Sequence, residues 1–495
     1  MLLRKESAGD RKRTMIGPKT ILIDGKWYPA ADGRVLPVLD PSTGVEIDAL
    51  ARGGAAEVDA AVRAARRAFD DGPWGRMPAV ERGRVLARLG RAIEADFETL
   101  WRLEAADAGK PVKQAKADIA ACARYFEFYG GACDKHHGTT LPYQDGYTVL
   151  TVKEPYGVTG HVIPWNYPAQ IFGRTIGGAL AAGNACVLKP AEDACLTPLR
   201  IAQLALEAGL PPGALNVVTG LGAEAGAALA SHPGIDHISF TGSPATGAAI
   251  QAAAAAFNRP VTMELGGKSP QLVFDDADAD AALPFVTAAI VQNAGQTCSA
   301  GSRLLLQDGI ADTFLSALAD RFRALEAGPW DRDPDCGPLI SARQRDRVRG
   351  HLDRARADGL PVLAEGRLSP NAPAGGFYQV PALVGGVPAD HPLAQEEVFG
   401  PVLAVLRFRD EDEAIRLANG TEFGLVAGVW TRDGARQLRC ARRIRAGQVF
   451  VNNYGAGGGV ELPFGGMKRS GFGREKAMEG LDHFSVTKTI AIRHG

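Results

Sequence analysis

The chain predicts an α/β protein with two large bodies, and three observations lead there. At 495 residues it is too long for one ordinary core. Its middle alternates short apolar runs with helical stretches, and a second alternating set follows Glu264. Alternation of this kind favours parallel sheets covered by helices on both faces.

Taken in order, alanine-rich amphipathic stretches at 55–69 and 80–103 read as packed helices, separated by Pro73 and Pro78. Strands are expected at 157–163, 185–188, 215–218, 237–240 and 261–263, and the alanine run at 252–256 reads as helix. The second set places strands at 271–274, 303–306, 402–406, 428–430 and 448–451. A boundary near Gly266-Gly267-Lys268 puts Glu264 and Cys298 on opposite sides of a cleft, where ligand sites concentrate. Two outlying pieces, about 140–155 and 482–493, alternate β-branched and polar residues but are too short for a core of their own. No internal repeat is evident.

Composition narrows the function. The hydrophobic content of 46% supports sizeable cores, and the formal net charge of −1 comes without the basic stripe or aromatic platform that nucleic acid requires. The apolar runs fall short of the roughly 18 to 20 residues that span a bilayer, so no membrane association is expected. The polar, basic start of the chain lacks an apolar core and does not read as a secretory signal, and residues before about Met15 read as a flexible extension. Seven cysteines without paired short spacings indicate neither a disulfide framework nor a zinc site, and His136 and His137 lie in no ligand cluster, so no metal is expected. A reactive thiol needs a reducing compartment, which favours the cytoplasm.

The chemistry centres on Cys298, in Asn293-Ala294-Gly295-Gln296-Thr297-Cys298-Ser299, and on Glu264, in Met263-Glu264-Leu265-Gly266-Gly267-Lys268. A thiolate can attack an electrophilic carbon, and a separate carboxylate can then activate water to release the product. Alone, such a cysteine is by default an inert packing residue and such a glutamate a solvated charge. Further segments change the balance. Ile163-Pro164-Trp165-Asn166-Tyr167-Pro168 lies between a strand and a helix, where side chains project from the carboxyl edge of a parallel sheet, although in isolation it reads equally as a turn. Lys189-Pro190-Ala191-Glu192 ends a strand with two groups able to reach a ribose hydroxyl, or to form a surface ion pair. Gly220-Leu221-Gly222-Ala223-Glu224-Ala225-Gly226 is a loose glycine cluster without the G-x-G-x-x-G spacing. Phe240-Thr241-Gly242-Ser243 enters a helix and can turn backbone donors toward a pyrophosphate. Glu396-Glu397-Val398-Phe399-Gly400-Pro401 and Pro463-Phe464-Gly465-Gly466-Met467-Lys468 complete the series.

In this order, from about residue 21 to about residue 490, these segments resemble the aldehyde dehydrogenase superfamily. The resemblance implies an aldehyde dehydrogenase-like fold: a Rossmann-like cofactor domain (15–139 and 156–266), an α/β catalytic domain (267–481) and a small β flap for oligomerisation (140–155 and 482–495). It implies a homodimer or homotetramer acting on a small-molecule aldehyde. Cys298 is then the nucleophile, Glu264 the general base, and Asn166 with the Cys298 amide the oxyanion holder. The cofactor, NAD with NADP as the alternative, falls to Ile163, Pro164, Trp165, Lys189, Glu192, Gly222, Gly226, Phe240, Gly242, Ser243, Leu265, Glu397 and Phe399. Glu192 favours NAD because a carboxylate would repel a 2′-phosphate.

Tyr167, Arg174 and Phe464 fall on the substrate side. Arg174 matches an arginine that holds the distal carboxylate in succinic semialdehyde dehydrogenases, and a guanidinium can take a carboxylate bidentately. Gln292 departs from that subfamily, which usually has a second arginine there, and the glycine-rich loop at 455–459 suggests a roomier mouth. An aldehyde bearing a remote carboxylate, or a bulkier one, is expected; in the other reading Arg174 pairs with a surface acid. The rival activities are acylation of coenzyme A, opposed by the presence of Glu264, a catalytically silent structural relative, and a cysteine hydrolase, opposed by the lack of a nearby histidine.

Overall fold

A computed structural model describes residues 20–455 and 459–495. The extension before Met15 and most of the glycine-rich loop lie outside the described residues. Two sheets dominate. The first runs in the order Lys26–Tyr28, Ile21–Ile23, Leu215–Val217, Ala185–Lys189, Val158–Val162, His237–Thr241, Val261–Glu264 and Gly471–Phe472. Its five inner strands are mutually parallel, and the pieces at both edges are antiparallel. The second runs in the order Val362–Glu365, Ala382–Val384, Val402–Phe408, Arg303–Gln307, Pro270–Val273, Val426–Trp430 and Gln448–Val451, parallel except for its first strand.

Val158–Val162, Ala185–Lys189 and Val402–Phe408 are buried almost end to end, as strands covered on both faces must be. All ten expected strands are present, and each sheet forms the middle of its own apolar core. The strands missed are mostly short, and include the local hairpin Val35–Asp40 with Val45–Ala51 and the inner strand Ala382–Val384.

Two expectations are corrected. The stretch 80–103 is two helices, Ala79–Ala95 and Phe97–Ala108. Asp96, at φ −95° and ψ 16°, breaks them, and its carboxylate accepts a hydrogen bond from Arg200 at 2.6 Å. The span 267–481 is not one body. Gly471–Phe472 adds a strand beside Val261–Glu264, and Val460 and Leu481 pack into the first core, so the chain returns to the first sheet before its end. Finally, the helix Val112–Ala132 was not anticipated, yet it packs against Pro168–Ala182, which is buried nearly throughout.

The two outlying segments form a separate three-stranded sheet, Ser485–Arg493 beside Tyr147–Pro155 beside Thr140–Leu141. The long pair is in continuous antiparallel register from Ser485↔Pro155 to Arg493↔Tyr147.

Candidate active site

A cavity of about 860 Å³ opens between the carboxyl ends of the two sheets. Val261–Glu264 delivers Glu264 to it, and the turn after Val158–Val162 delivers Ile163 to Tyr167. The segment after Ala279–Val291 delivers Cys298 from the second body. Every predicted site residue lines this cavity except Glu192, Gly222 and Gly226.

The cysteine arrives on an unusual turn. Asn293, Ala294 and Gly295 are consecutive left-handed residues at φ 50°, 53° and 70°. Such backbone is costly outside glycine and persists where its surroundings hold it. Here they do: Asn293 Nδ2 donates to the Asn166 carbonyl at 2.8 Å, and Asn293 N–H donates to Gln114 at 2.9 Å. Gly295 is obligatory, since a Cβ there would meet the Gly400 carbonyl at 2.1 Å. Beyond the turn, Tyr454 Oη donates to the Ser299 carbonyl at 2.7 Å, and the Thr297 and Tyr167 hydroxyls share a hydrogen bond of 2.8 Å. Gly267 must also lack a side chain, because a Cβ would stand 2.2 Å from the Cys298 carbonyl.

Asn166 is buried, and its Nδ2 donates to the Gln296 carbonyl at 3.0 Å. An amide has a second N–H, so this bond fixes the side chain beside the cysteine loop and leaves a donor. Glu264 is 2% exposed, and among the described residues neither of its carboxyl oxygens has a hydrogen-bond partner. Burial raises it well above the usual carboxylate range, against the pull of Arg174. Burial likewise pushes the Cys298 thiol up to about 12; Arg174 opposes this, while Glu397 and Glu264 reinforce it. Burial thus opposes ionisation of both the thiol and the carboxyl.

The same cavity also carries a different donor set. Ser243 caps the helix Pro244–Ala255, accepting from Thr246 N–H, and Gly242, Ser243 and Thr246 all line the cavity. A helix N-terminus facing a cavity is a ready site for a phosphate. Lys189 Nζ donates to Glu192 at 2.6 Å, so Glu192 reaches the site through its partner. Glu397 is pushed up to about 7 by burial, although Gly267 N–H donates to it at 2.8 Å. Phe399, left-handed at φ 58°, sets its ring edge-on to Trp165 at 5.4 Å. The Phe399 and Glu397 carbonyls are held by Gln344 Nε2 at 2.7 Å and Arg347 Nη2 at 2.6 Å.

Two sets of expected site residues have surroundings the sequence did not show. Gly222 and Gly226 form a wide helical turn outside the cavity, where a Cβ on either would meet nothing, so space does not demand glycine. Arg174 lines the cavity but its guanidinium is committed: it is ion-paired with Glu475, which is fully buried, and Nη2 donates to Thr241 at 3.0 Å. A substrate carboxylate would have to share the guanidinium with a buried one. The acid that holds Arg174 is thus in the interior rather than on the surface. Glu475 and Lys476 were missed because, in sequence, a charged pair after Gly473-Arg474 reads as solvated. Only the bridge between Glu475 and Phe464 turns them inward.

Comparison with known proteins agrees with this geometry. The model of the aldehyde dehydrogenase family matches residues 27–490. Aldehyde dehydrogenase family 2 member B4, mitochondrial, of Arabidopsis thaliana is 42% identical over 95% of this chain and 87% of its own length. A solved structure from Burkholderia cenocepacia, assigned as an aldehyde dehydrogenase, is 64% identical and covers 96% of this chain and 100% of its own, with a TM-score of 0.95. The NAD+ complex of an aldehyde dehydrogenase from Bacillus cereus is 37% identical over 96% of both chains, with a TM-score of 0.93. With one cavity joining the cysteine, the glutamate and the asparagine, and a family match spanning nearly the whole chain, the protein belongs to the aldehyde dehydrogenase family.

Proposed function

We propose that the protein oxidises an aldehyde to the carboxylic acid with NAD, through a covalent intermediate on Cys298. The observation that carries this reading is the convergence of Cys298, Glu264 and Asn166 on one cavity whose lining also suits a dinucleotide. The donor set fits NAD: a helix N-terminus for the pyrophosphate, Lys189 with Glu192 and separately Glu397 for ribose hydroxyls, and Phe399 for the nicotinamide face. The Bacillus cereus relative, solved with NAD+, supports the same choice.

The residues divide the work. Glu264 takes the proton of the Cys298 thiol, and the sulfur attacks the carbonyl carbon, moving the π electrons onto oxygen. The second N–H of Asn166 Nδ2 and the Cys298 backbone N–H hold that oxyanion; a donor of this kind is worth about 3–4 kcal/mol in the transition state. When bound, NAD accepts the hydride from the sulfur-bound carbon, which becomes a thioester. Glu264, once it has passed the thiol proton to solvent, removes a proton from water, which attacks the thioester; the Cys298 thiolate leaves and takes up the proton held by Glu264. Arg174, paired with Glu475, adds positive potential behind the reacting groups. Hydrolysis by Glu264 favours release to water over transfer to coenzyme A. An aldehyde panel followed by NADH absorbance tests the reading, with no NADH from any aldehyde as the result against it.

We propose further that 15–139 and 156–266 serve the cofactor and 267–481 carries catalysis, except for the part that returns to the first sheet. The flap of 140–155 and 482–495 serves a homodimer or homotetramer. Val486, Ile490 and Ile492 are exposed along Ser485–Arg493, the outer strand of that small sheet, which supports burial against another copy. Light scattering coupled to size exclusion tests this, a monomer being the contrary result. Among the described residues no helix is long and apolar enough to cross a membrane. Free cysteines, six of them buried, suit a reducing compartment, and we assign the cytoplasm.

A further inference from the structure

Several cationic side chains line the cavity, and the buried ones differ in how they are satisfied. Lys189 pairs with Glu192 and Arg174 with Glu475. Lys476 is 8% exposed, yet among the described residues its ammonium has neither an ion pair nor a hydrogen bond. What it has is aromatic: Nζ stands 5.2 Å from the Phe464 ring centroid and 6.0 Å from that of Tyr125. An uncompensated buried charge is expensive, and ring faces return only part of the cost.

The position is held firmly. Glu475 and Phe464 exchange backbone hydrogen bonds of 2.8 Å in each direction, and Ala477 N–H donates to Val460 at 2.8 Å. Lys476 and Ala477 are both left-handed, at φ 66° and 50°. Two adjacent non-glycine residues in that region are unfavourable unless the surroundings impose them, and here they turn the lysine into the cavity rather than into solvent. Burial and the nearby Arg174 lower the ammonium to about 8, which keeps it mostly charged at neutral pH. The neighbouring acid cannot serve as its counter-ion, because Glu475 is taken by Arg174 and by Ser239, whose hydroxyl donates to it at 2.8 Å.

We infer that Lys476 reads the substrate: its ammonium receives an anionic group, such as a carboxylate, on an aldehyde whose carbonyl lies at Cys298. This rests on the aldehyde-oxidising reading of the same cavity and transfers the expected carboxylate contact from Arg174 to Lys476. Phe464 and Tyr125 flank the site and exclude water from the ion pair, which strengthens it. A charge-assisted contact of this kind is worth about 10- to 100-fold in specificity.

The test compares kcat/KM for length-matched pairs: succinic, glutaric and adipic semialdehydes against butanal, pentanal and hexanal. In the wild-type protein at low salt, at least one acidic member should exceed its neutral partner by about tenfold or more. Lys476→Met should collapse that ratio by a similar factor, mainly through KM, and Lys476→Arg should restore part of it. A wild-type preference for the neutral member at every length, or a ratio unchanged in Lys476→Met, overturns the inference. Neutral aldehydes need only the Cys298 chemistry. Failure of both series in the wild type would therefore overturn the catalytic reading itself, whereas failure of the acidic preference alone would overturn only the role of Lys476. The wild-type comparison needs no variant to fold.

Discussion

Arg174 and Glu475 form an ion pair inside the protein, with 7% and 0% of their side chains exposed, and Arg174 lines the nucleophile's cavity. Removing one partner strands the other, and a stranded buried charge costs about 3–5 kcal/mol. Arg174→Met should therefore lower unfolding stability by roughly that amount, and Arg174→Met/Glu475→Gln should recover a large part of it. Denaturant unfolding of the four proteins in the cycle measures this. Additive losses would mean that the pair is not coupled.

The raised Glu264 carboxyl gives a pH prediction. Only its anionic form can activate water, so thioester hydrolysis should accelerate as pH rises through a value above the ordinary carboxylate range. Single-turnover rates across pH should show this rise in the wild type, and Glu264→Gln should remove it. A wild-type profile that is flat across neutral pH would assign the base elsewhere.

The same shift has a stability sign. A group whose folded pKa is raised contributes stability that is fully present below its unfolded pKa and lost as pH rises through the folded value. Glu264→Gln mimics the protonated carboxyl, so it should be more stable than the wild type at alkaline pH, with the difference shrinking toward acid. Thermal unfolding at several pH values checks it. A variant less stable than the wild type at every pH would contradict the account of this buried acid.

At the cofactor end, Glu192→Ala should shift the NAD to NADP preference toward NADP by about tenfold, because it removes both a ribose partner and a repulsion. It also frees Lys189, which sits 2.6 Å from Glu192 in the intact site and can then meet a phosphate. The ratio of kcat/KM for the two cofactors measures this, and an unchanged ratio would separate Glu192 from the ribose.

Much of the site was legible in the sequence because its residues sit in local motifs. Asn166, Glu264, Cys298 and Glu397 each lie at a strand end or on a turn, so their placement follows once the strands are found. The inner strands were legible for the same reason: continuous apolar runs such as 402–406 have no other use. What was hidden depends on distant partners. Gly471–Phe472 is a strand only beside Val261–Glu264, and the fate of Arg174 was set by Glu475, some three hundred residues away. Lys476 looked like a surface lysine, since nothing within its own segment reports that Phe464 draws the chain inward. The glycine cluster lacked the G-x-G-x-x-G spacing in sequence, and Gly222 and Gly226 do not line the cavity.

The most direct measurement of the central claim is mass spectrometry of Glu264→Gln mixed with NAD and hexanal. Blocking hydrolysis while leaving the nucleophile intact should trap an acyl group on the Cys298 peptide, with a burst of NADH matching the active sites and little turnover afterwards. Cys298→Ala should show neither adduct nor burst while still binding NAD. NADH formation by Cys298→Ala at the wild-type rate, or a burst in Glu264→Gln with no mass added to the Cys298 peptide, would contradict covalent catalysis at this residue.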